Sequence, residues 1–178
     1  MEFSKIMKAL FVVGDGFEDL ELFTTAAILR KTMTVTIASI SATTIASASA
    51  VKITADKRLG EIATSEYSLL LLPTFEGMET SQKLVSLIQE FDKENKIIIA
   101  MSRAPLLLAK AGVLENKIAT IYPGFESRIP RPRDAKIVID KNIITSRSPS
   151  DTQELALKLV EILQGKAVAK KIWEKMTG

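Results

Sequence analysis

The sequence predicts an α/β protein with a mostly parallel sheet covered by helices on both faces. Three observations carry that prediction. Short, continuous apolar runs at residues 8–13, 68–72 and 97–101 read as strands buried on both faces. Segments with helical apolar spacing lie between them, and strand–helix–strand alternation builds parallel sheets. The chain has 178 residues, 47% hydrophobic and 25% charged, which is ordinary usage for one folded domain.

The elements follow in order. Residues 8–13, KALFVV, form a strand that stops at Gly14-Asp15-Gly16. Residues 17–31 place Leu20, Phe23, Ala27 and Ile28 at helical spacing. Acids crowd the first turn and Arg30-Lys31 the last, as the helix dipole favours. Residues 34–40 are β-branched and alternating, a second strand. Residues 41–50, SATTIASASA, are low in complexity and read as a loop or small edge strands. Residues 68–72 are a buried strand ended by Pro73. Residues 79–95 form an amphipathic helix with Leu84, Leu87, Ile88 and Phe91 on one side. Residues 97–101, IIIAM, are the fourth buried strand. Residues 104–114 follow as a helix that Gly112 suits as a C-terminal cap. A short strand is expected at 118–121, and a hairpin at 136–146 turning on Asp140-Lys141-Asn142. Residues 152–163 make a long amphipathic helix stopped by Gln164-Gly165, and 166–178 a further short one. No linker or internal repeat divides residues 1–178, so one domain is expected.

Composition narrows the chemistry. There is no cysteine and no histidine. That excludes disulfides, thiolate catalysis, an imidazole base and the commonest zinc ligands. No metal or cofactor is expected. The net charge is +3. Arg128, Arg131 and Arg133 sit in one loop, without the wide basic patch and stacking aromatics of a nucleic-acid site. They read as a solvated loop, with no nucleic-acid partner. No segment approaches the roughly 18 uninterrupted apolar residues of a membrane span. The first 16 residues lack the long apolar run and cleavage site of a signal peptide. A cytoplasmic protein is therefore expected. Gly14-Asp15-Gly16 lacks the third glycine and the lysine of phosphate-binding loops. Met78, Met101 and Trp173 read as packing residues, Trp173 in an interface.

In parallel sheets, ligands bind beyond the carboxyl ends of the strands. Three such ends stand out: Gly14-Asp15-Gly16, Pro73-Thr74-Phe75-Glu76-Gly77 and Ser102-Arg103-Ala104. The third belongs to Met101-Ser102-Arg103-Ala104-Pro105, followed by Ala111-Gly112-Val113-Leu114 and Tyr122-Pro123-Gly124. This stretch resembles the active-site region of the ThiJ/PfpI family, which carries Ile-Cys-x-Gly-Pro, Ala-Gly-Val-Leu and Tyr-Pro-Gly there. KALFVVGDGFEDLEL and NIITSRSPSDTQELALKLVEILQGK are similar to the family's first and last units, so the resemblance covers nearly the whole chain. It implies a flavodoxin-like three-layer sandwich, a homodimer or higher oligomer, and deglycase or cysteine-peptidase ancestry, with Glu21 at the family's glutamate and Arg147 at its rim arginine.

The departures from the family pattern fall on the chemistry. Its cysteine is Ser102, and its elbow glycine is Ala104. Arg103 and Tyr122 stand where family members place a histidine, and Pro73-Thr74-Phe75 replaces a Pro-Gly-Gly whose amides help bind an oxyanion. A hydroxyl, unlike a thiol of pKa near 8.5, needs a positioned base to act as nucleophile. The one base on offer is Glu21, and a carboxylate of pKa about 4.3 is weak for that task unless burial raises it. Two readings stand. In one, thiol chemistry is lost and the cleft serves a ligand-binding, sensing or chaperone-like dimer, with Arg103, Thr74, Phe75, Tyr122 and Arg147 around a small molecule. In the other, Ser102 is the nucleophile and Glu21 the base of a hydrolase or glyoxalase-type enzyme. Arg103 and Arg147 could hold a carboxylate or phosphate. The competing and favoured expectation is an ion pair of Arg103 with Glu21 or Glu76.

Overall fold

The structure is a computed structural model, and it describes residues 7–178. The expectation about the first residues as a leader falls largely outside them. The strands are β1 (Lys8–Val13), β2 (Thr34–Ser39), β3 (Thr44–Ala46), β4 (Lys52–Thr54), β5 (Lys57–Arg58), β6 (Leu69–Leu72), β7 (Ile97–Met101), β8 (Ile137–Asp140) and β9 (Ile143–Ser146). The helices are α1 (Asp19–Leu29), α2 (Gln82–Lys93), α3 (Pro105–Lys110), α4 (Thr152–Gln164) and α5 (Lys166–Thr177).

Seven strands form one sheet in the order β5-β2-β1-β6-β7-β9-β8, and every pairing is parallel except that of β8 with β9. The central strands show why the apolar runs are continuous. Leu69, Leu70, Leu71 and Leu72 of β6 are all fully buried, because helices cover both faces and leave no solvent side. The mostly parallel, helix-covered sheet is the predicted fold class. Strand order places the ends of β1, β6 and β7 side by side, so their following loops converge on one edge of the sheet.

Several local expectations need correction. Residues 118–121 are not a strand; Ala119 makes an isolated bridge to Pro132, and the Thr120 amide is taken by the Thr145 hydroxyl at 2.9 Å. The side chain thus satisfies the donor that a ladder would have used. The 104–114 helix is shorter, ending at Lys110, with Gly112 at φ +75 in the turn beyond it. Trp173, expected in an interface, is 45% exposed on α5. Residues 41–50 supply β3, which pairs with β4 as a separate two-stranded hairpin. That hairpin is tied to α1: Ser49 donates to Asp19 through its hydroxyl at 2.7 Å, and the Ala48 amide donates to the Phe17 carbonyl at 2.9 Å. No helix among the described residues is long and apolar enough to cross a membrane.

Candidate functional site

The site forms at the turn from β7 to α3. Pro105 opens α3, where its missing N–H costs nothing and its fixed φ suits the first helical position. The chain must turn sharply to get there, and Ser102 takes the bend with φ +48. A non-glycine residue in that left-handed region costs of order 1–3 kcal/mol, so the surroundings must hold it. They do so on both sides. The Ser102 amide donates to the Ser146 carbonyl at 2.9 Å, and the Ser102 carbonyl accepts from the Tyr122 amide at 2.9 Å. The strained conformation projects a side chain that is 3% exposed toward α1.

Glu21 meets it there. Its carboxyl is fully buried; Oε1 accepts a short hydrogen bond from Ser102 Oγ, and Oε2 accepts from the Thr74 amide at 2.6 Å. Burial pushes the Glu21 pKa above the ordinary carboxylate value. The hydrogen bonds from Ser102 and Thr74 oppose that rise, and the nearby charge of Glu18 adds to it. Glu18 lies one turn earlier and caps α1, accepting the Glu21 amide at 2.9 Å. The four acids around the first turn thus split in role: Asp15 and Asp19 fasten the β3–β4 hairpin, Glu18 caps, and Glu21 alone turns inward.

Thr74 joins the strand ends. Its hydroxyl donates to the Met101 carbonyl at 3.2 Å and accepts from the Arg103 amide at 3.2 Å. Two backbone donors beside Ser102 are therefore already used, one by Glu21 and one by the Thr74 side chain. Glu18, Glu21, Thr74, Ser102, Arg103, Tyr122 and Pro149 line a cleft of about 170 Å³.

The structure brings together Ser102, Glu21, Thr74, Arg103 and Tyr122, as expected. It leaves out two of the predicted residues. Arg147 is paired with Asp134 at 2.8 Å and does not line the cleft. Phe75 is fully buried against Gly14, where an added Cβ would stand 2.8 Å from the ring, so it does not fill the Ser102 cleft. The favoured ion pair of Arg103 with Glu21 or Glu76 is also absent: among the described residues the Arg103 guanidinium has no ion-pair partner. Glu21 is committed inside, whereas Arg103 is exposed. Glu18 and Pro149 were missed. Glutamate is not among the residues favoured at an N-cap, so Glu18 carries no strong local signal, and nothing local marks Pro149 as a cleft residue. Among the described residues no group of three or more acidic, histidine or cysteine side chains could hold a metal.

Residues 7–162 match the DJ-1/PfpI family. The chain belongs to that family. A DJ-1/PfpI relative from Drosophila melanogaster, protein dj-1beta, is 32% identical over 168 residues, covering 89% of this chain and 90% of its own. Its crystal structure superposes with a TM-score of 0.89 over 96% of this chain and 97% of that one, at 29% identity. Toxoplasma gondii DJ-1, solved in an oxidized form, gives a TM-score of 0.90 over 96% and 97% of the two chains, at 26% identity. A deglycase of Pyrococcus horikoshii is 29% identical over 166 residues, covering 89% of this chain and all of its own. Within the DJ-1/PfpI family, this chain has no cysteine, which is consistent with loss of a thiol nucleophile.

Proposed function

We propose that this DJ-1/PfpI protein has lost the thiol chemistry of its relatives and uses the Ser102 cleft to bind a small polar molecule reversibly, as a homodimer. The observation that carries the reading is the way the site's groups are spent. The Ser102 hydroxyl donates a hydrogen bond to Glu21 and keeps its proton, and no histidine exists to take it. The Thr74 and Arg103 amides are engaged inside the protein and not offered to an oxyanion. In serine hydrolases the loss of one triad partner costs about 10⁴ in rate.

The test is turnover. The parent and a Ser102→Ala variant are incubated with methylglyoxal and with activated esters at neutral pH. Equal, background-level consumption by both is expected. Turnover by the parent that disappears in the alanine form would restore the enzyme reading, with Ser102 as nucleophile and Glu21 as base.

The dimer reading rests on α1. Leu22, Ala26, Ile28 and Leu29 are buried in the core, yet Leu20 is 54% and Phe23 39% exposed on the same helix. A helix apolar on all sides belongs in contact with protein all round. Val51, 46% exposed, stands on the hairpin that Asp19 holds to α1. A second copy is the partner that meets this patch with an equally apolar one. Light scattering should give twice the 19.5 kDa chain mass for the parent and a single chain mass for Phe23→Asp. A monomeric parent would remove the dimer from the proposal.

A further inference from the structure

Arg103 borders two cavities. One is the cleft of about 170 Å³ that holds Ser102 and Glu21. The other, about 230 Å³, is lined by Phe75, Glu76, Gly77, Met78 and Glu79. Arg103 lines both. It is exposed, and among the described residues its guanidinium makes no ion pair.

Carboxylates flank this free cation. Glu79 is neutralised by Arg128 at 2.9 Å, and Glu18 gives one oxygen to the Glu21 amide. Glu76 is different. It has no ion-pair partner among the described residues. Its position is nevertheless fixed: the Glu76 amide donates to the Asp15 carbonyl at 3.0 Å, and its stem lies over Gly16. An added Cβ at Gly16 would stand 2.5 Å from Glu76 Cγ, so the glycine is the notch that receives it. Arg103 and Glu76 line one small cavity and stay apart.

An unpaired cation and an unpaired, well-placed anion facing one cavity are complementary to a molecule that carries both charges. A simple carboxylate would satisfy Arg103 but meet Glu76 and Glu18 as like charges. A simple amine would satisfy Glu76 but meet Arg103. We propose that this double cavity binds a small zwitterion of the amino-acid class, with its carboxylate on the Arg103 guanidinium and its ammonium on Glu76. Arginine suits the first role because its planar fork can hold a carboxylate through two parallel hydrogen bonds. The inference rests on reading the Ser102 cleft as a binding site, and extends that site across Arg103 into the neighbouring cavity.

The test uses the twenty amino acids as probes in a thermal-shift screen of the parent protein. Calorimetry on the best binder follows, beside its 2-hydroxy-acid analogue and its decarboxylated amine. At least one amino acid should raise Tm and bind, with each analogue at least tenfold weaker. Arg103→Ala and Glu76→Gln should each weaken the amino acid at least tenfold while keeping the parent Tm without ligand, since both side chains are exposed. Equal binding of the 2-hydroxy acid, or no binding by any amino acid, would overturn the inference. Turnover in the Ser102 assay would instead sink the non-catalytic reading and leave the binding result untouched, so the two failures are told apart.

Discussion

A Ser102→Cys/Thr74→Gly double variant should consume methylglyoxal about 10²-fold faster than Ser102→Cys alone, with the parent at background. Two obstacles separate this site from thiol chemistry, and each variant removes one. Cysteine at 102 brings a group that ionises near pKa 8.5, within reach of a carboxyl that the structure already aims at it. Attack of the sulfur on the aldehyde carbon forms the C–S bond and moves the carbonyl π pair onto oxygen. That oxyanion then needs a donor. The Arg103 amide is the nearest backbone candidate after the elbow, but it donates to the Thr74 hydroxyl at 3.2 Å. Glycine at 74 removes the acceptor and keeps the Thr74-position amide on Glu21 Oε2. One oxyanion donor is worth roughly 10² to 10³ in rate. Ser102→Cys/Thr74→Ser is the control: serine keeps the hydroxyl that accepts from the Arg103 amide, and should not show the gain. Equal rates for the glycine and serine forms would mean that the hydroxyl does not withhold the donor.

That Thr74 hydroxyl illustrates where the sequence was legible and where it was not. The sheet could be read because β1, β6 and β7 are buried on both faces, which leaves an apolar run with no solvent side to disguise it. Ser102 was legible at the strand-to-helix elbow and Glu21 only through the family resemblance, and they do meet. The errors came where a side chain had several partners within reach. Arg147 could serve the rim or Asp134, and it takes Asp134. Phe75 could fill the cleft or pack on Gly14, and the space left by the missing Cβ decides for Gly14. Arg103 was expected to pair with Glu21 or Glu76, but the first is sealed inside with Ser102 and Thr74, and the second is held by the Gly16 notch. Residues 118–121 have strand composition, yet the Thr145 hydroxyl claims the Thr120 amide. Spacing along the chain carries burial well; it does not carry choices among competing partners.

Glu21→Ala should lower Tm by about 10 °C at pH 5, whereas Glu21→Gln should raise Tm at pH 8 and leave it nearly unchanged at pH 4. The alanine form loses the acceptors for the Thr74 amide and the Ser102 hydroxyl, both buried, and leaves a void beside them. An orphaned buried donor and a partly collapsed cavity together cost about 2–4 kcal/mol, and each kcal/mol moves Tm by roughly 2–4 °C in a chain of this size. Glutamine keeps an oxygen for the Thr74 amide and can donate its NH₂ to Ser102 Oγ, so it tests the charge alone. The sign follows from burial. Glu21 holds its proton more tightly folded than unfolded, so its contribution to stability is whole below the ordinary carboxylate range. As pH rises, the unfolded chain releases that proton first, and stability is lost until the pH passes the raised folded value. Glutamine is neutral throughout and escapes the loss. The Tm difference between Glu21→Gln and the parent should therefore grow from pH 4 to pH 8. The deficit of Glu21→Ala should shrink over the same range, because the parent then carries a buried charge that alanine lacks. A glutamine–parent difference that stays flat with pH would mean that the buried carboxyl is ionised at no cost. That would leave Glu21 at the ordinary carboxylate value, a weak base for Ser102.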